Sequence, residues 1–113
     1  MSIDHQDTEN LRRIVITERL DITGTDAIAI KFAALAASAQ RRVVVDISTV
    51  TFLASIGIRA LLTNAKAQQA RGGRLVLFVG DNASIIKTLE TTGVDILVPI
   101  FTDALAAEKA ALE

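Results

Sequence analysis

Cysteine, tryptophan and tyrosine are absent from this sequence of 113 residues, which contains one histidine and one proline. Without cysteine the chain has neither a disulfide framework nor a thiolate metal site, and cysteine usage says nothing about its redox compartment. Four phenylalanines are the only aromatic residues, and much of the apolar half of the chain is alanine. These shortages predict a single domain with a mostly aliphatic core.

Neither the charge nor the hydrophobic runs point to nucleic acid or to a membrane. The formal net charge is -1, which leaves no basic surface for a phosphate backbone. No apolar run approaches the ~18 residues of a membrane span, and the opening MSIDHQDTEN lacks the basic and apolar parts of a signal peptide. We therefore expect a cytoplasmic protein without direct membrane insertion, with a flexible leader at residues 1–10 and one domain at 11–113.

Segments typical of strands and helices alternate after the leader. Continuous apolar or β-branched runs predict strands, and apolar residues three or four apart predict the helices that follow them. The predicted strands cover residues 11–17, with a hairpin or bend into 19–22, and then 43–47, 74–79 and 96–101. This alternation predicts an α/β domain with a mostly parallel sheet of four or five strands in roughly sequential order.

Several residues mark the predicted ends of these elements. Asn82 is placed to cap a helix that Gly93 closes in a left-handed conformation. The pair Gly72-Gly73 ends the preceding helix, and Asp103 begins a terminal, alanine-rich one. Pro99 cannot donate to a strand ladder, so we expect the last strand to lie at a sheet edge.

Catalytic motifs are incomplete in this sequence. The segment LASIG is similar to the end of a G-x-S-x-G nucleophile elbow but lacks its first glycine, and the only histidine, His5, lies in the leader. The sequence has neither a G-x-x-x-x-G-K-[ST] phosphate loop nor a G-x-G-x-x-G turn. These gaps predict a protein that is not an enzyme and that binds neither a cofactor nor a metal.

Ser55 stands out because it lies between Ala54 and Ile56, at the junction of an apolar strand and an apolar helix. By itself it fits an N-cap, whose hydroxyl oxygen accepts a hydrogen bond from a backbone amide at the helix start. Asp46, near the end of the strand, likewise fits a residue that bonds the following turn. We predict that Ser55 lies in the first turn of a helix ending at about Gln69, with its hydroxyl at the surface.

The stretch from Asp46 to Leu62, DISTVTFLASIGIRALL, resembles the signature of STAS domains of the anti-sigma-factor antagonist type. In that signature a strand ending in D-[LIV]-S is followed by V-x-[FY], a short acidic-serine segment, a glycine and an apolar helix. Other segments resemble the family in the same order along most of the chain: Leu20-Asp21 and residues 74–77, 86–94 and 102–107.

The resemblance implies a STAS-like fold and a role as a protein-binding module in transcription regulation. It places Ser55 at the position that a partner serine kinase phosphorylates in antagonist members. It also places Asp21 at an acidic residue near that serine and Gly57 at the glycine that opens the helix. The implied partner-binding residues are Asp21, Ser55, Ile56, Gly57 and Ile58.

Two functions are compatible with these residues. In the first, the protein is an antagonist that binds a serine-kinase-type anti-sigma factor and is switched off by phosphorylation at Ser55. In the second, it is a STAS subunit of a transporter or signalling complex and needs no phosphorylation. The second function accommodates Ala54, where the family usually has aspartate, and Ile56, where it usually has a small hydroxyl residue.

Overall fold

The computed structural model of the chain describes residues 2–8, 10–17, 19–37 and 42–113. In these ranges the strands form one sheet, and its members are β1 (Ile3–Asp7), β2 (Arg12–Ile16), β3 (Arg42–Asp46), β4 (Arg74–Phe78) and β5 (Ile100–Phe101). They lie in the order β1-β2-β3-β4-β5. β1 and β2 are antiparallel, and the other neighbours are parallel. The predicted α/β domain with a mostly parallel, sequentially ordered sheet is confirmed.

Helices cover both faces of this sheet. They are α1 (Ile22–Ala37), α2 (Ser55–Ala70), α3 (Ala83–Thr91), α4 (Val94–Leu97) and α5 (Ala104–Leu112). On one face, large aliphatic and aromatic side chains such as Phe32, Leu61 and Leu89 form the main core. On the other face, the alanines of α5 pack against Val44 and Val76. Small side chains allow α5 to lie close to the sheet, so both faces of the central strands β3 and β4 are buried.

The polar start of the chain is a strand and not the expected flexible leader. β1 pairs with β2 from Ile3 opposite Ile16 to Asp7 opposite Arg12. The Arg12 guanidinium donates to both carboxylate oxygens of Asp7, at 2.7 and 2.9 Å. An edge strand can remain polar when few of its side chains face the core, and here Ile3 is the buried one. The hydrophobic pattern therefore does not reveal this strand.

The last strand is shorter than the predicted 96–101. Residues 96–97 belong to α4, which follows Gly93 in the left-handed conformation (φ 78°). β5 contains two residues and begins directly after Pro99. The Pro99 carbonyl accepts a hydrogen bond from the Leu77 N–H at 2.9 Å. The strand lies at the edge of the sheet, as predicted from a residue that cannot donate.

The predicted helix caps are confirmed at α3 and α5. The Asn82 side-chain oxygen accepts a hydrogen bond from the Ile85 N–H at 3.5 Å, and Asp103 caps α5 in the same way. The Asn82 side-chain amide also donates to the carbonyls of Ser48, at 3.1 Å, and Val50, at 2.7 Å. One side chain therefore fastens the loop between β3 and α2 to the start of α3.

Candidate partner-binding site at the start of helix α2

The start of α2 lies beside the segment that connects β2 to α1. Leu20 forms an isolated parallel bridge with Leu53. The Leu20 N–H donates to the Phe52 carbonyl at 2.8 Å, and the Leu20 carbonyl accepts from the Ala54 N–H at 2.9 Å. Asp21 comes directly after Leu20, and Ser55 comes two residues after Leu53, so this bridge brings both parts of the predicted site to one end of the sheet.

Gly57 allows the helix to approach this bridge closely. A Cβ atom at residue 57 would lie 2.8 Å from the Leu20 Cβ, 3.0 Å from the Leu20 carbonyl oxygen and 3.0 Å from the Leu53 Cδ1. The Leu20 backbone is held by two hydrogen bonds and cannot move aside. The glycine at residue 57 is therefore required by packing, and it sets the distance between α2 and the bridge.

Ser55 is the first residue of α2 and is exposed. The N-cap is Ala54, whose backbone is extended (φ -86°, ψ 171°) and whose side chain makes no capping bond. The interpretation of Ser55 as the N-cap is therefore wrong, whereas the predicted surface position in the first turn is confirmed. The first intrahelical bond joins the Ile58 N–H to the Ala54 carbonyl at 3.0 Å. The N–H groups of residues 55–57 precede that bond and point out of the helix start.

Asp21 caps α1 and carries a charge close to the bridge. Its carboxylate accepts hydrogen bonds from the Gly24 N–H at 2.7 Å and from the Arg19 guanidinium at 3.1 Å. These contacts lower the pKa of Asp21, with the Gly24 backbone N–H as the largest cause. Asp21 therefore stays ionised at neutral pH, and it fixes the start of α1 next to the start of α2.

Arg19 and Phe52 complete this surface, although neither belongs to the predicted partner-binding residues. The Arg19 guanidinium carbon lies 4.4 Å from the centre of the Phe52 ring, a cation–π distance. Phe52 is 41% exposed, because it points away from the core while the adjacent Leu53 points inward. The alternation of Phe52 and Leu53 along an extended segment is the sequence signal that could have identified this exposed aromatic residue.

The proposed partner-binding residues divide into exposed and structural ones. Ser55 is exposed, and Asp21 and Ile56 are partly exposed. Gly57 is buried against the bridge, and Ile58 packs on the main core. A partner approaching this end of the sheet therefore meets Ser55, Asp21 and Ile56, together with Arg19 and Phe52, while Gly57 and Ile58 shape the surface from beneath.

A second polar group lies on the opposite face of the sheet. The Asp46 carboxylate accepts hydrogen bonds from the Ser48 N–H at 3.0 Å and the Ser48 hydroxyl at 2.6 Å. It also accepts from the Arg13 guanidinium at 2.6 Å, and Arg13 lies 5.3 Å from the centre of the Phe78 ring. Asp46 therefore bonds the turn after β3, as predicted, and its carboxylate is engaged in structural hydrogen bonds.

The described part of the chain shows no cluster of three or more histidine, aspartate or glutamate side chains that could hold a metal ion. Among the helices described above, none has both the length and the apolar character needed to cross a bilayer.

Solved structures with this fold include regulators and a transporter. An anti-sigma-factor antagonist STAS protein from Planctomyces limnophilus has a TM-score of 0.86 and 24% identity over 98% of both chains. The unphosphorylated antagonist SpoIIAA has a TM-score of 0.74 and 17% identity, over 96% of this chain and 95% of that chain. Its phosphorylated form, from Bacillus, has a TM-score of 0.68 and 17% identity, over 96% of this chain and 98% of that chain. The murine anion transporter Slc26a9 has a TM-score of 0.77 and 18% identity, over 95% of this chain and 18% of its own.

These TM-scores show a common fold, and no curated protein matches the chain significantly in sequence. The model of one protein family, described as "Mlab, STAS domain", matches residues 3–99. That range runs from β1 to the residue before β5 and includes the whole surface at the start of α2. The resemblance seen in residues 46–62 is thereby confirmed, and the chain belongs to the "Mlab, STAS domain" family.

Proposed function

We propose that this protein is a cytoplasmic, non-enzymatic regulator, an anti-sigma-factor antagonist that binds a serine-kinase-type anti-sigma factor through the start of α2. Phosphorylation at Ser55 switches this binding off. The observation that carries the proposal is the position of Ser55, exposed at the first residue of a 16-residue helix and free of any capping role. A kinase can reach such a hydroxyl without unfolding the domain.

The physical chemistry of the site supports a switch that leaves the fold intact. A phosphoserine carries roughly -1.5 to -2 charges at neutral pH, and the N–H groups at a helix start favour an anion. The same phosphate would add bulk and charge to a surface made of a small hydroxyl, Ile56 and Phe52. The ionised Asp21 carboxylate nearby would add to the negative charge that an incoming partner meets.

The comparisons support the proposal at the level of the fold. The Planctomyces limnophilus protein is an anti-sigma-factor antagonist, and SpoIIAA, also an antagonist, exists in unphosphorylated and phosphorylated forms. For an antagonist, the partner at the corresponding surface would be an anti-sigma factor. A kinase activity in that partner would supply the phosphate for Ser55.

A second candidate function is a phosphorylation-independent subunit of a transporter or signalling complex. The Slc26a9 anion transporter contains this fold within a much longer chain. In addition, Ala54 offers no carboxylate beside the serine, and Ile56 is a partly exposed apolar residue suited to permanent contact. In this case the start of α2 would still bind a partner, but Ser55 would remain unmodified.

The experiment uses the whole chain and a purified anti-sigma factor with a serine-kinase fold. After incubation with ATP, mass spectrometry of the intact protein should show one added phosphate on the wild type and on Ser84→Ala, and none on Ser55→Ala. Ser84 is a matched control because it is an exposed serine in the first turn of α3. No phosphate on the wild type, or equal labelling of Ser55→Ala, would contradict the phosphorylation proposal.

A binding titration then separates the two functions. We expect Ser55→Asp to weaken the partner complex at least ~10-fold, or about 1.4 kcal/mol, with a melting temperature close to that of the wild type. Ser55→Ala should bind normally but resist switching, and Ser84→Asp should bind like the wild type. A Ser55→Asp variant that binds a transporter subunit as tightly as the wild type does would favour the second function.

A further inference from the structure

A cavity of about 300 Å³ lies at the opposite end of the sheet from Ser55. Its wall is formed by the second half of α2, the first residues of β3 and β4, and the segment from α4 to Pro99. Neither the antagonist proposal nor the surface at the start of α2 makes use of it. Its volume is at the lower end of the range found for small-molecule sites in proteins, roughly 300–1,000 Å³.

One side of the cavity is cationic. Arg42 and Arg74 begin neighbouring strands and are register partners in the sheet, and both line the cavity together with Lys66. Glu113 is the acidic residue among those that line the cavity, so the lining holds more cationic than acidic side chains.

The other side of the cavity is apolar. Leu62 and Leu75 line it from α2 and β4, and Leu97 and Pro99 line it from the opposite segment. Leu97 is 64% exposed, and its neighbour Ile96 is 85% exposed. Large aliphatic side chains left in water beside a concave, cationic wall are typical of a binding site for a ligand with an apolar body.

We propose that this cavity binds a small organic anion that has one acidic group and a compact apolar body. The acidic group pairs with Arg74 and Lys66, and the apolar body covers Leu62 and Leu97. Charge alone would not select such a ligand over inorganic ions, and apolar area alone would not select it over a neutral molecule. The cavity joins both features in a volume suited to one short amphiphile.

The test uses the full chain labelled with ¹⁵N and titrated with octanoate. We expect saturable amide shifts that are confined to residues lining the cavity, in α2, at the start of β4 and around residue 97. Octanol, which lacks the charge, and acetate, which lacks the apolar body, should each bind at least about tenfold more weakly, since a charge-assisted bond or a buried alkyl chain contributes about that much. Equal binding of octanol and octanoate would overturn the proposal.

Substitutions of lining residues test whether octanoate binds in the cavity. Arg74→Gln and Lys66→Gln should each weaken octanoate binding about tenfold, with the melting temperature used to verify folding. Arg59→Gln is the matched control, because Arg59 is an exposed cation of the same helix that does not line the cavity. Loss of binding in Arg59→Gln, or full binding in Arg74→Gln, would contradict the assignment.

A final arm separates a free amphiphile from a membrane lipid. The chain is sedimented with vesicles of zwitterionic phospholipid, with and without an anionic phospholipid. The proposal requires octanoate binding with little sedimentation in either case. If the chain sedimented with anionic vesicles and octanoate caused no saturable amide shifts, the protein would bind a membrane surface and not a free amphiphile. That result would overturn the proposal.

Discussion

At its start, α2 packs Gly57 against the backbone of Leu20, whereas at its end it packs long polar side chains against the end of α1. There, Gln68 is fully buried, and its side-chain oxygen accepts a hydrogen bond from the Arg71 guanidinium. Arg71 also donates to the Ala36 carbonyl at 3.1 Å, near the end of α1. The first contact is a close approach to the backbone, and the second is made through side chains.

The difference shows how one helix can serve two purposes. A helix start fixed by backbone contacts presents Ser55 and Ile56 in a constant position, which suits recognition by a folded partner. A helix end held by long side chains tolerates an adjacent cavity, because Lys66 and its neighbours can change conformation without moving the helix. Substitutions at Gly57 and Arg71 would show whether the two ends of α2 differ in this way.

The largest effect is expected for Gly57→Ala. The new Cβ would lie 2.8 Å from the Leu20 Cβ, an atom fixed directly to the backbone of the bridge. We expect the free energy of unfolding to fall by about 1–3 kcal/mol, although alanine favours helix by about 1 kcal/mol relative to glycine. Urea unfolding followed by circular dichroism measures this change.

Thr63→Ala is the matched control for Gly57→Ala. Thr63 is an exposed residue in the middle of the same helix, so its replacement should change the free energy of unfolding only through helix propensity, by about 0.5 kcal/mol in the stabilising direction. A Gly57→Ala protein that is as stable as Thr63→Ala would mean that the start of α2 has room to spare, and the comparison between the two ends would fail.

A smaller effect is expected at the other end, for Arg71→Ala. The substitution leaves the buried Gln68 oxygen without the guanidinium and removes a cation from the end of α1, at a cost of about 1–2 kcal/mol. The double variant with Gln68→Met should recover part of this loss, because it also removes the Gln68 side-chain nitrogen, which is buried without a hydrogen-bond partner. A double-mutant cycle on urea midpoints measures the coupling. Additive effects would show that the two side chains are independent.

Local sequence signals could predict the bounds of α2, which ends at Ala70 close to the predicted Gln69, but not the contacts at either end. The motif in residues 46–62 predicted the strand, the helix and the surface position of Ser55. The N-cap was misassigned by one residue, because the Ala54 N–H bonds the Leu20 carbonyl and holds Ala54 extended until the helix begins. That bond joins segments far apart in sequence, as do the contacts of Arg19 with Phe52 and of Arg71 with Ala36.

The same limit applied at the edges of the sheet. β1 is polar, so its periodicity gave no strand signal, and only the pairing with β2 reveals it. In the segment 96–101, the apolar run was compatible with strand or helix, and the left-handed Gly93 decided for a short helix. The central strands β3 and β4 were predictable because burial on both faces leaves a continuous apolar run.

The smallest expected effect concerns the acid sensitivity of the Ser55 end, through Asp21. In the folded protein its pKa lies below the ordinary value, mainly because the Gly24 N–H bonds the ionised carboxylate. The group therefore stabilises the fold fully above the ordinary aspartate pKa of about 3.9, and this contribution is lost as the pH falls through the lowered, folded-state value. Asp21→Asn keeps a side-chain oxygen that can accept the Gly24 bond but does not titrate.

Urea midpoints of the wild type and Asp21→Asn should consequently run parallel between about pH 7 and pH 5 and converge below about pH 4. Because the backbone bond is the largest cause and the Arg19 contact is exposed, about 1 M sodium chloride should weaken the convergence only slightly. If salt abolished it, the Arg19 charge would be the main cause. If the two profiles remained parallel down to about pH 2, Asp21 would contribute no acid-sensitive stability. The start of α2 would then owe its fixed position to the Leu20 bridge and Gly57 alone.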